Sequence, residues 1–411
     1  MDLLSGERID LSKRGASLAS PRSEDEVNEK YARGDVRIVT EQARYPLSTI
    51  VSLLDSGDYE LNPEFQRRHR WSADKQSRLI ESFIMNVPIP PIFLYETRYS
   101  HYEVMDGLQR LTAISEYYRG RYALRGLSEW AELNGMSYDE LPEQVRRGID
   151  RRYLSSIILL QETAKSEKEA LRLKQLVFER INSGGVNLEP QESRNALYNG
   201  PLNQLCLRLS ERSSFRRMWG IPTREDFTPG QARFLFDPDE DPPSDYEDAL
   251  AKNRLYQKMG DVELVLRFFA YRQIDHVDQG RLADFLDEFL SQGNLFDHEV
   301  FQLYEQLFCE TCDLLYELLG ERAFFLRRRR RNGGWGWFER PTKVLYDPLM
   351  AATSERLEYR DRLLERSGEL ARALETFYES EEELFAGRST NKQDLIRRRQ
   401  AFRDLLDEQI R

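Results

Sequence analysis

The chain has 411 residues, which is too long for one ordinary hydrophobic core, so its length predicts two or three domains. Its 40% hydrophobic residues are normal for a globular protein, and no window approaches the roughly 18 apolar residues of a membrane span. We therefore expect no membrane partner. The net charge of -11 excludes a protein that binds nucleic acid over its whole surface, although local basic patches remain compatible with this charge.

The amino-terminal residues and the cysteines indicate a reducing compartment. MDLLSGERIDLSKRG lacks the basic-then-apolar pattern of a signal peptide, and three cysteines without an export signal make structural disulfides improbable. A cytoplasmic protein is the expectation. Residues 1–40 are polar and lack periodicity, which predicts a flexible arm.

The first regular elements follow this arm. SADKQSRLIESFIMN places Leu79, Ile80, Phe83 and Ile84 on one helical face, with Ser72 or Asp74 as the cap. The prolines of VPIPPIFLYE end the helix, and residues 92–95 and HYEVMD read as strands. GLQRLTAISEYYRG then has helical spacing, so a strand runs into a helix with almost no loop.

The remaining elements divide the chain in two. SSIILLQET reads as a strand and SEKEALRLKQLVFERINSGG as a helix that ends at glycine. Residues 201–236 and 249–325 are mostly amphipathic helix, whereas 237–248 form an acidic loop and 327–341 an irregular stretch. The pattern predicts an α+β protein with a mixed-sheet domain at 41–200 and a helical domain at 201–411.

The junction in VMDGLQRLTAI is the first candidate site. A strand delivers Asp106, Gly107 permits a sharp turn, and the next helix starts near Gln109 and Arg110. Helix amino termini carry unpaired N–H groups that suit phosphate, and arginine adds a planar cationic fork. Asp106 suits magnesium or a ribose hydroxyl. The alternative is that Asp106 caps the helix and Arg110 pairs with a surface acid.

Two further stretches have the residue types of a nucleotide site. In NPEFQRRHRWSADKQ, arginines and Trp71 suit phosphates and a base, or else form a solvated loop whose Trp71 packs on the next helix. In FERINSGG, the glycines suit a helix cap, but this does not explain why Arg180 and Asn182 stand beside them.

Taken together, the ordered stretches resemble a known family. FQRRHRW, PIPPIFLYE, DGLQR, FERINSGG and LEPQESRNALYNG are similar to the N-terminal domain of GmrSD-type modification-dependent restriction enzymes. That family belongs to the ParB/sulfiredoxin-like superfamily, and the resemblance covers about residues 41–200. It implies a small mixed sheet with helices and a nucleotide pocket.

The resemblance also implies roles for individual residues. The family's Asp-Gly-Gln-Gln-Arg motif binds and helps to hydrolyse nucleoside triphosphates, so Asp106 and Arg110 would be catalytic, with magnesium at Asp106. The residues implied in nucleotide binding are Gln66, Arg67, Trp71, Gly107, Gln109, Arg180 and Asn182. Leu108 replaces the motif's first glutamine, which predicts that hydrolysis is weakened while binding survives.

Relatives in this family often carry an HNH-type nuclease domain. Such a domain needs a histidine base and metal ligands, and this chain has four histidines, at 69, 101, 276 and 298. Neither IDHVDQG nor FDHEV has the hairpin that would present a metal, so we expect a stand-alone member without that domain. The resemblance implies a bacterial anti-phage or restriction setting, with a nuclease or other effector subunit as a partner.

RRRRRNGGWGWFERP is the best nucleic-acid candidate. Consecutive arginines offer phosphate contacts and tryptophans offer stacking faces; the residues are Arg327, Arg328, Arg329, Arg330, Arg331, Trp335 and Trp337. The alternative is a solvated basic loop that pairs with the acidic loop at 237–248.

Two other functions stay open from the sequence. The chain could be a ParB-like nuclease that binds or nicks DNA, or an interaction scaffold with a vestigial pocket. No motif in the sequence specifies which nucleotide base is bound or what triggers activity. A homo-oligomer is compatible with the sequence, but no motif specifies the oligomeric state.

Overall fold

The computed structural model describes most of the chain. Two compact units emerge: the α/β unit, Ala16–Leu188, and the helical unit, Met1–Gly15 with Glu189–Arg411. The described residues are 3–10, 23–33, 38–61, 71–160, 167–182, 189–227, 246–276, 280–330, 333–386 and 392–411.

One five-stranded mixed sheet organises the α/β unit, which confirms the predicted α+β class. The sheet order is β1-β5-β3-β4-β2. β1 pairs antiparallel with β5 and β3 with β4, whereas β3–β5 and β2–β4 are parallel pairs. The strands are β1 Thr40–Pro46, β2 Tyr59–Glu60, β3 Ile92–Arg98, β4 His101–Asp106 and β5 Tyr153–Leu159.

Helices flank the strands of this unit along the chain. They are α1 Glu24–Arg33, α2 Ile50–Asp55, α3 Ala73–Ile84, α4 Leu108–Tyr118, α5 Glu143–Asp150 and α6 Glu167–Asn182. α3 starts as predicted, because the Ser72 side chain accepts a hydrogen bond from the Lys75 backbone N–H at 3.4 Å. α6 is described as far as Asn182, and the glycines at which its end was predicted lie outside the described residues.

The core of the α/β unit explains why β3, α3 and α4 form where the sequence predicts. Ile92 and Leu94 alternate inward on β3 and meet Ile80 of α3 and Ile114 of α4, all at most 1% exposed. Fully burying a side chain of this size contributes about 1.5–3 kcal/mol. These contacts therefore fix the strand whose neighbour, β4, carries Asp106.

The described residues of the helical unit form helices and one hairpin. Its helices are α7 Pro190–Leu197, α8 Pro201–Leu209, α9 Ser213–Met218, α10 Tyr246–Lys252, α11 Arg254–Gln257, α12 Gly260–Tyr271, α13 Leu282–Gly293, α14 His298–Leu319, α15 Lys343–Ser354, α16 Arg360–Glu365, α17 Ser367–Ser380, α18 Glu382–Ala386 and α19 Lys392–Ile410. The acidic loop at 237–248 falls mainly outside the described residues.

The stretch at 327–341 is a β-hairpin, so the prediction of an irregular segment is wrong. β6, Phe325–Arg329, pairs antiparallel with β7, Trp335–Pro341. The physical reason is tertiary: arginine has little strand preference of its own, but here Arg328 packs on the Phe338 ring of β7 and Arg327 forms an ion pair with Glu375 of α17.

The predicted arm at 1–40 also differs from the structure in its described parts. Glu7 is fully buried in the helical unit, where it pairs with Arg272, and Ile9 is 4% exposed. Residues 24–33 form α1 of the α/β unit. The burial of this segment could not be predicted from its polar sequence, because a single buried carboxylate with a partner distant in the chain produces no periodic pattern of apolar residues.

None of the helices within the described ranges combines the length and apolarity of a membrane span.

Candidate functional site

The junction between β4 and α4 is built around Gly107. Its φ of +96° is in the left-handed region, which side chains other than glycine rarely adopt. A Cβ atom here would lie 2.8 Å from Cβ of Ile92 on the neighbouring strand and 3.1 Å from Nη2 of Arg110. Glycine is thus required both for the turn and for the close approach of the arginine.

Asp106 and Arg110 are paired with each other across this turn. Nη2 of Arg110 lies 2.7 Å from Oδ2 of Asp106 and also approaches the Pro91 carbonyl at 3.4 Å. The helix cap is Gly107, with no side-chain cap bond. Asp106 therefore does not cap α4, whereas Arg110 does pair with a partly exposed acid, which is Asp106 itself.

Two side-chain donors at this junction have no acceptor among the residues that the structure describes. They are Nε of Arg110 and Nε2 of Gln109, both buried. An unsatisfied buried donor costs about 1–3 kcal/mol, and more when it is charged. With the unpaired N–H groups of the first helical turn, these donors make the junction a place that favours an anionic acceptor.

Trp71 connects a second predicted segment to the junction. Its backbone N–H donates to Oε1 of Gln109 at 3.2 Å, although the two residues are 38 apart in the chain. Its ring is partly buried against the core and carries the Lys75 ammonium group 4.5 Å from its centroid. Trp71 therefore packs on the next helix, as the alternative predicts, and also lies beside Gln109 of the junction.

Leu108, the departure from the family motif, has a structural role. Its side chain is 7% exposed. A glutamine at this position would bring a polar amide into a largely buried place, at a cost of about 1–3 kcal/mol unless it found a partner.

The third predicted segment lies on α6. Nζ of Lys174 bonds Oε2 of Glu103 at 2.5 Å and so ties α6 to β4, the strand that ends at Asp106. Burial and the Glu103 carboxylate raise the pKa of Tyr95, whose ring lies 5.6 Å from the same ammonium group. Arg180 is exposed near the end of this helix.

Some predicted site residues cannot be placed. Gln66 and Arg67 lie outside the described residues, as does Arg331, and the side chain of Asn182 is likewise not described. The structure thus brings together Trp71, Gln109, and the Asp106–Arg110 pair around Gly107, and it leaves the other assignments as predictions.

No group of three or more metal-ligating side chains occurs in the described part of the chain. Of the two Asp-His stretches, Asp275 pairs with Arg399 at 2.7 Å, and His298 begins α14. Cys312 is fully buried and Cys309 half-buried on α14, and burial raises the pKa of both thiols.

The arginine hairpin contains one residue that the sequence did not single out, Arg340. Its guanidinium group packs on the Phe338 ring, as does that of the predicted Arg328. A turn signal was present in the sequence, Asn332-Gly333-Gly334 followed by aromatic residues, and it is typical of a hairpin.

The fold and the junction define an α/β domain whose strand-to-helix turn gathers cationic and amide donors. Residues 47–199 match the model of the family described as GmrSD restriction endonuclease, N-terminal domain. This match confirms the resemblance carried by the motifs of these residues. Residues 189–199 of the match lie in the helical unit. No curated protein and no solved structure matches the chain.

Proposed function

We propose that the α/β unit binds a nucleoside triphosphate at the β4–α4 junction. The observation that carries the proposal is the pair of buried donors, Arg110 Nε and Gln109 Nε2, that lack acceptors among the described residues. Phosphate oxygens accept such bonds, and charge-assisted ones are about twice as strong as neutral ones. The family match supports a restriction-system setting for this domain.

The roles follow from the geometry at the junction. Arg110 is held by Asp106 and Pro91, so its guanidinium group is oriented before the ligand arrives. Gln109 is held through its other amide atom by Trp71, which leaves Nε2 to donate. Because each donor is already fixed by another bond, binding costs little side-chain entropy.

Magnesium fits this site through a single carboxylate. Mg²⁺ is usually bound by one or two carboxylates together with substrate phosphates, so Asp106 alone would hold it without a further acidic cluster. When bound, the ion neutralises phosphate charge. The Asp106 side chain is 43% exposed, which leaves it accessible while it pairs with Arg110.

Hydrolysis at this junction would be slow. Positioning and charge stabilisation dominate phosphoryl transfer, and here they would fall on Asp106 and Arg110. Leu108 supplies no amide to position water or phosphate, so we expect binding with slow turnover. Gln66, Arg67, Arg180 and Asn182 would complete the nucleotide contacts, as the resemblance implies.

The setting we propose is a bacterial anti-phage or modification-dependent restriction system. In it, nucleotide binding by the α/β unit accompanies contact of the helical unit with DNA or with an effector subunit. The family match supports an interaction of this kind, since the named family is that of a restriction endonuclease.

A thermal-shift panel tests the nucleotide site. ATP, GTP, CTP and UTP are added with and without magnesium, and the nucleotide that binds should raise the melting temperature. At a hundredfold excess over Kd the native state gains about 2.7 kcal/mol. Arg110→Gln should abolish the shift, because it removes the cation.

The matched control is Arg147→Gln. Arg147 also pairs with an acid four residues earlier, Glu143, but both side chains are largely exposed on α5 of the same unit. It should keep the full shift. A shift that survives Arg110→Gln would place the nucleotide elsewhere, and no shift with any nucleotide would favour the scaffold. Metal-dependent nicking of plasmid that Asp106→Ala abolishes would favour the nuclease.

A further inference from the structure

One face of the β6–β7 hairpin is closed by the helical unit itself. Arg327 pairs with Glu375 and, at 3.0 Å, with Glu379, both on α17. The Trp337 ring lies edge-on to Tyr378 of the same helix, with ring centroids 6.1 Å apart. Two of the residues predicted to bind nucleic acid, Arg327 and Trp337, therefore hold the hairpin on α17 instead.

The opposite face carries cations that the described residues do not neutralise. We call it the outer face and define it by Arg328, Arg330, Gly336, Phe338 and Arg340. The guanidinium centres of Arg328 and Arg340 lie 4.1 and 4.8 Å from the Phe338 ring centroid. All three arginines are exposed. Among the described residues none of their side chains forms an ion pair with a carboxylate.

Arg330 lies on the same face, and its guanidinium group occupies the space that a side chain at Gly336 would fill. A Cβ atom at Gly336 would lie 2.7 Å from Cζ of Arg330. Arg328 pairs with Gly336 across the strands, so both arginines lie beside the same residue of β7. The sheet thus orients its guanidinium groups by stacking and close packing, without carboxylates.

We infer that the outer face binds the phosphodiester backbone of nucleic acid. The inference rests on the proposal that the helical unit contacts DNA, and it assigns that contact to Arg328, Arg330 and Arg340. A guanidinium group stacked on a ring keeps its N–H edges available, and its fork matches phosphate oxygens. The chain has a net charge of -11, so a group of three arginines without carboxylate partners is a local concentration of positive charge. Such a group favours binding of a polyanion.

The geometry also specifies the kind of contact. Phe338 already packs against two guanidinium groups, so it orients cations and is not offered to a base. Backbone contacts position a protein on nucleic acid without reading its sequence. Binding through the outer face is therefore independent of sequence and strongly dependent on salt.

The test is fluorescence anisotropy with a labelled DNA duplex over a series of salt concentrations, using the full chain. The variant Arg328→Gln/Arg330→Gln/Arg340→Gln should weaken binding and flatten the plot of log affinity against log salt. Each phosphate contact contributes a slope of about 0.9, so the loss should approach about 2.7 for three contacts. The control, Arg254→Gln/Arg281→Gln/Arg366→Gln, removes three exposed arginines of the same unit and should keep the wild-type slope.

A second variant separates charge from folding. Arg328→Lys/Arg330→Lys/Arg340→Lys keeps the three charges and should keep most of the salt dependence of binding. If this variant loses the salt dependence while its circular dichroism spectrum is unchanged, the inference is overturned. Equal losses in the glutamine variant and its control would overturn it too, because net charge alone would then explain binding.

The remaining outcomes distinguish this inference from the proposed function. Displacement of the duplex by polyglutamate at equal charge concentration would assign the outer face to an acidic polypeptide and overturn a nucleic-acid partner. Binding of DNA that the glutamine variant leaves unchanged would overturn the outer face while the helical unit still contacts DNA. If the wild-type chain binds no duplex at low salt, both DNA claims fail, and the nucleotide shift of the α/β unit is unaffected.

Discussion

Replacing Glu7 with glutamine should destabilise the helical unit strongly. The Glu7 carboxylate accepts from Nε and Nη2 of Arg272 at 2.9–3.1 Å and from the Leu4 backbone N–H at 2.9 Å. Glu7 is fully buried and the Arg272 side chain is 5% exposed. Glutamine keeps the shape but removes the charge that balances the buried guanidinium group.

The size of the effect follows from that burial. Breaking a buried ion pair by removing one partner costs about 3–5 kcal/mol, because the remaining charge cannot recover its hydration. In a unit of this size each kcal/mol lowers the melting temperature by about 2–4 °C, so we expect a fall of about 6–20 °C. Thermal unfolding followed by far-ultraviolet circular dichroism measures it.

The control is Glu305→Gln in the same unit. Glu305 lies 3.8 Å from Arg208, and these side chains are 52% and 61% exposed, so its loss should cost less than about 1 kcal/mol. If Glu7→Gln and Glu305→Gln melt at the same temperature, the amino-terminal segment is not docked in the helical unit. Equal melting temperatures would also show that the buried Arg272 does not need the Glu7 charge.

Three further substitutions test other parts of the structure. Gly107→Ala should lower the free energy of unfolding in urea by about 2–5 kcal/mol, because alanine would strain the left-handed backbone and overpack on Ile92. Gly120 is also left-handed but has nothing within 4 Å of its added Cβ, so Gly120→Ala should lower it by only about 1–2 kcal/mol. Equal costs would contradict the Ile92 contact. Leu108→Gln should lower stability by about 1–3 kcal/mol, and an unchanged urea midpoint would show that the position accommodates the family's amide. Hydrogen bonds from Arg356 hold the pKa of Asp407 below its ordinary 3.8, so its contribution is present above that value and is lost as the pH falls through the lower folded value. The stability difference between wild type and Asp407→Asn should therefore shrink on acidification below about pH 4, and a difference that does not vary with pH would argue against the pair.

Local pattern was sufficient to predict the elements that position the candidate site. β3, β4 and α4 follow from apolar alternation, helical spacing and the prolines between them, and the Asp106–Gly107 turn follows from adjacency alone. The pairing of Asp106 with Arg110 was not foreseen, because it spans the turn between a strand and a helix. The hydrogen bond between Trp71 and Gln109 joins segments 38 residues apart and has no local signal.

The hairpin and the amino-terminal segment show why the rest could not be predicted. The arginines of β6 become strand residues through Phe338 and through acids of α17 about 50 residues away. Glu7 meets a partner 265 residues away. Such contacts are energetically strong because they are buried or stacked, but sequence periodicity reports only neighbours on one face of one element.

Hydrogen exchange measured by mass spectrometry tests the central claim most directly. The first-turn N–H groups of Leu108, Gln109 and Arg110 have no partner within the helix, so a bound phosphate should slow their exchange. We predict that the nucleotide which raises the melting temperature protects peptides covering residues 106–111, and that Arg110→Gln removes this protection. Unchanged exchange at residues 106–111 under saturating nucleotide would contradict a phosphate site at the β4–α4 junction.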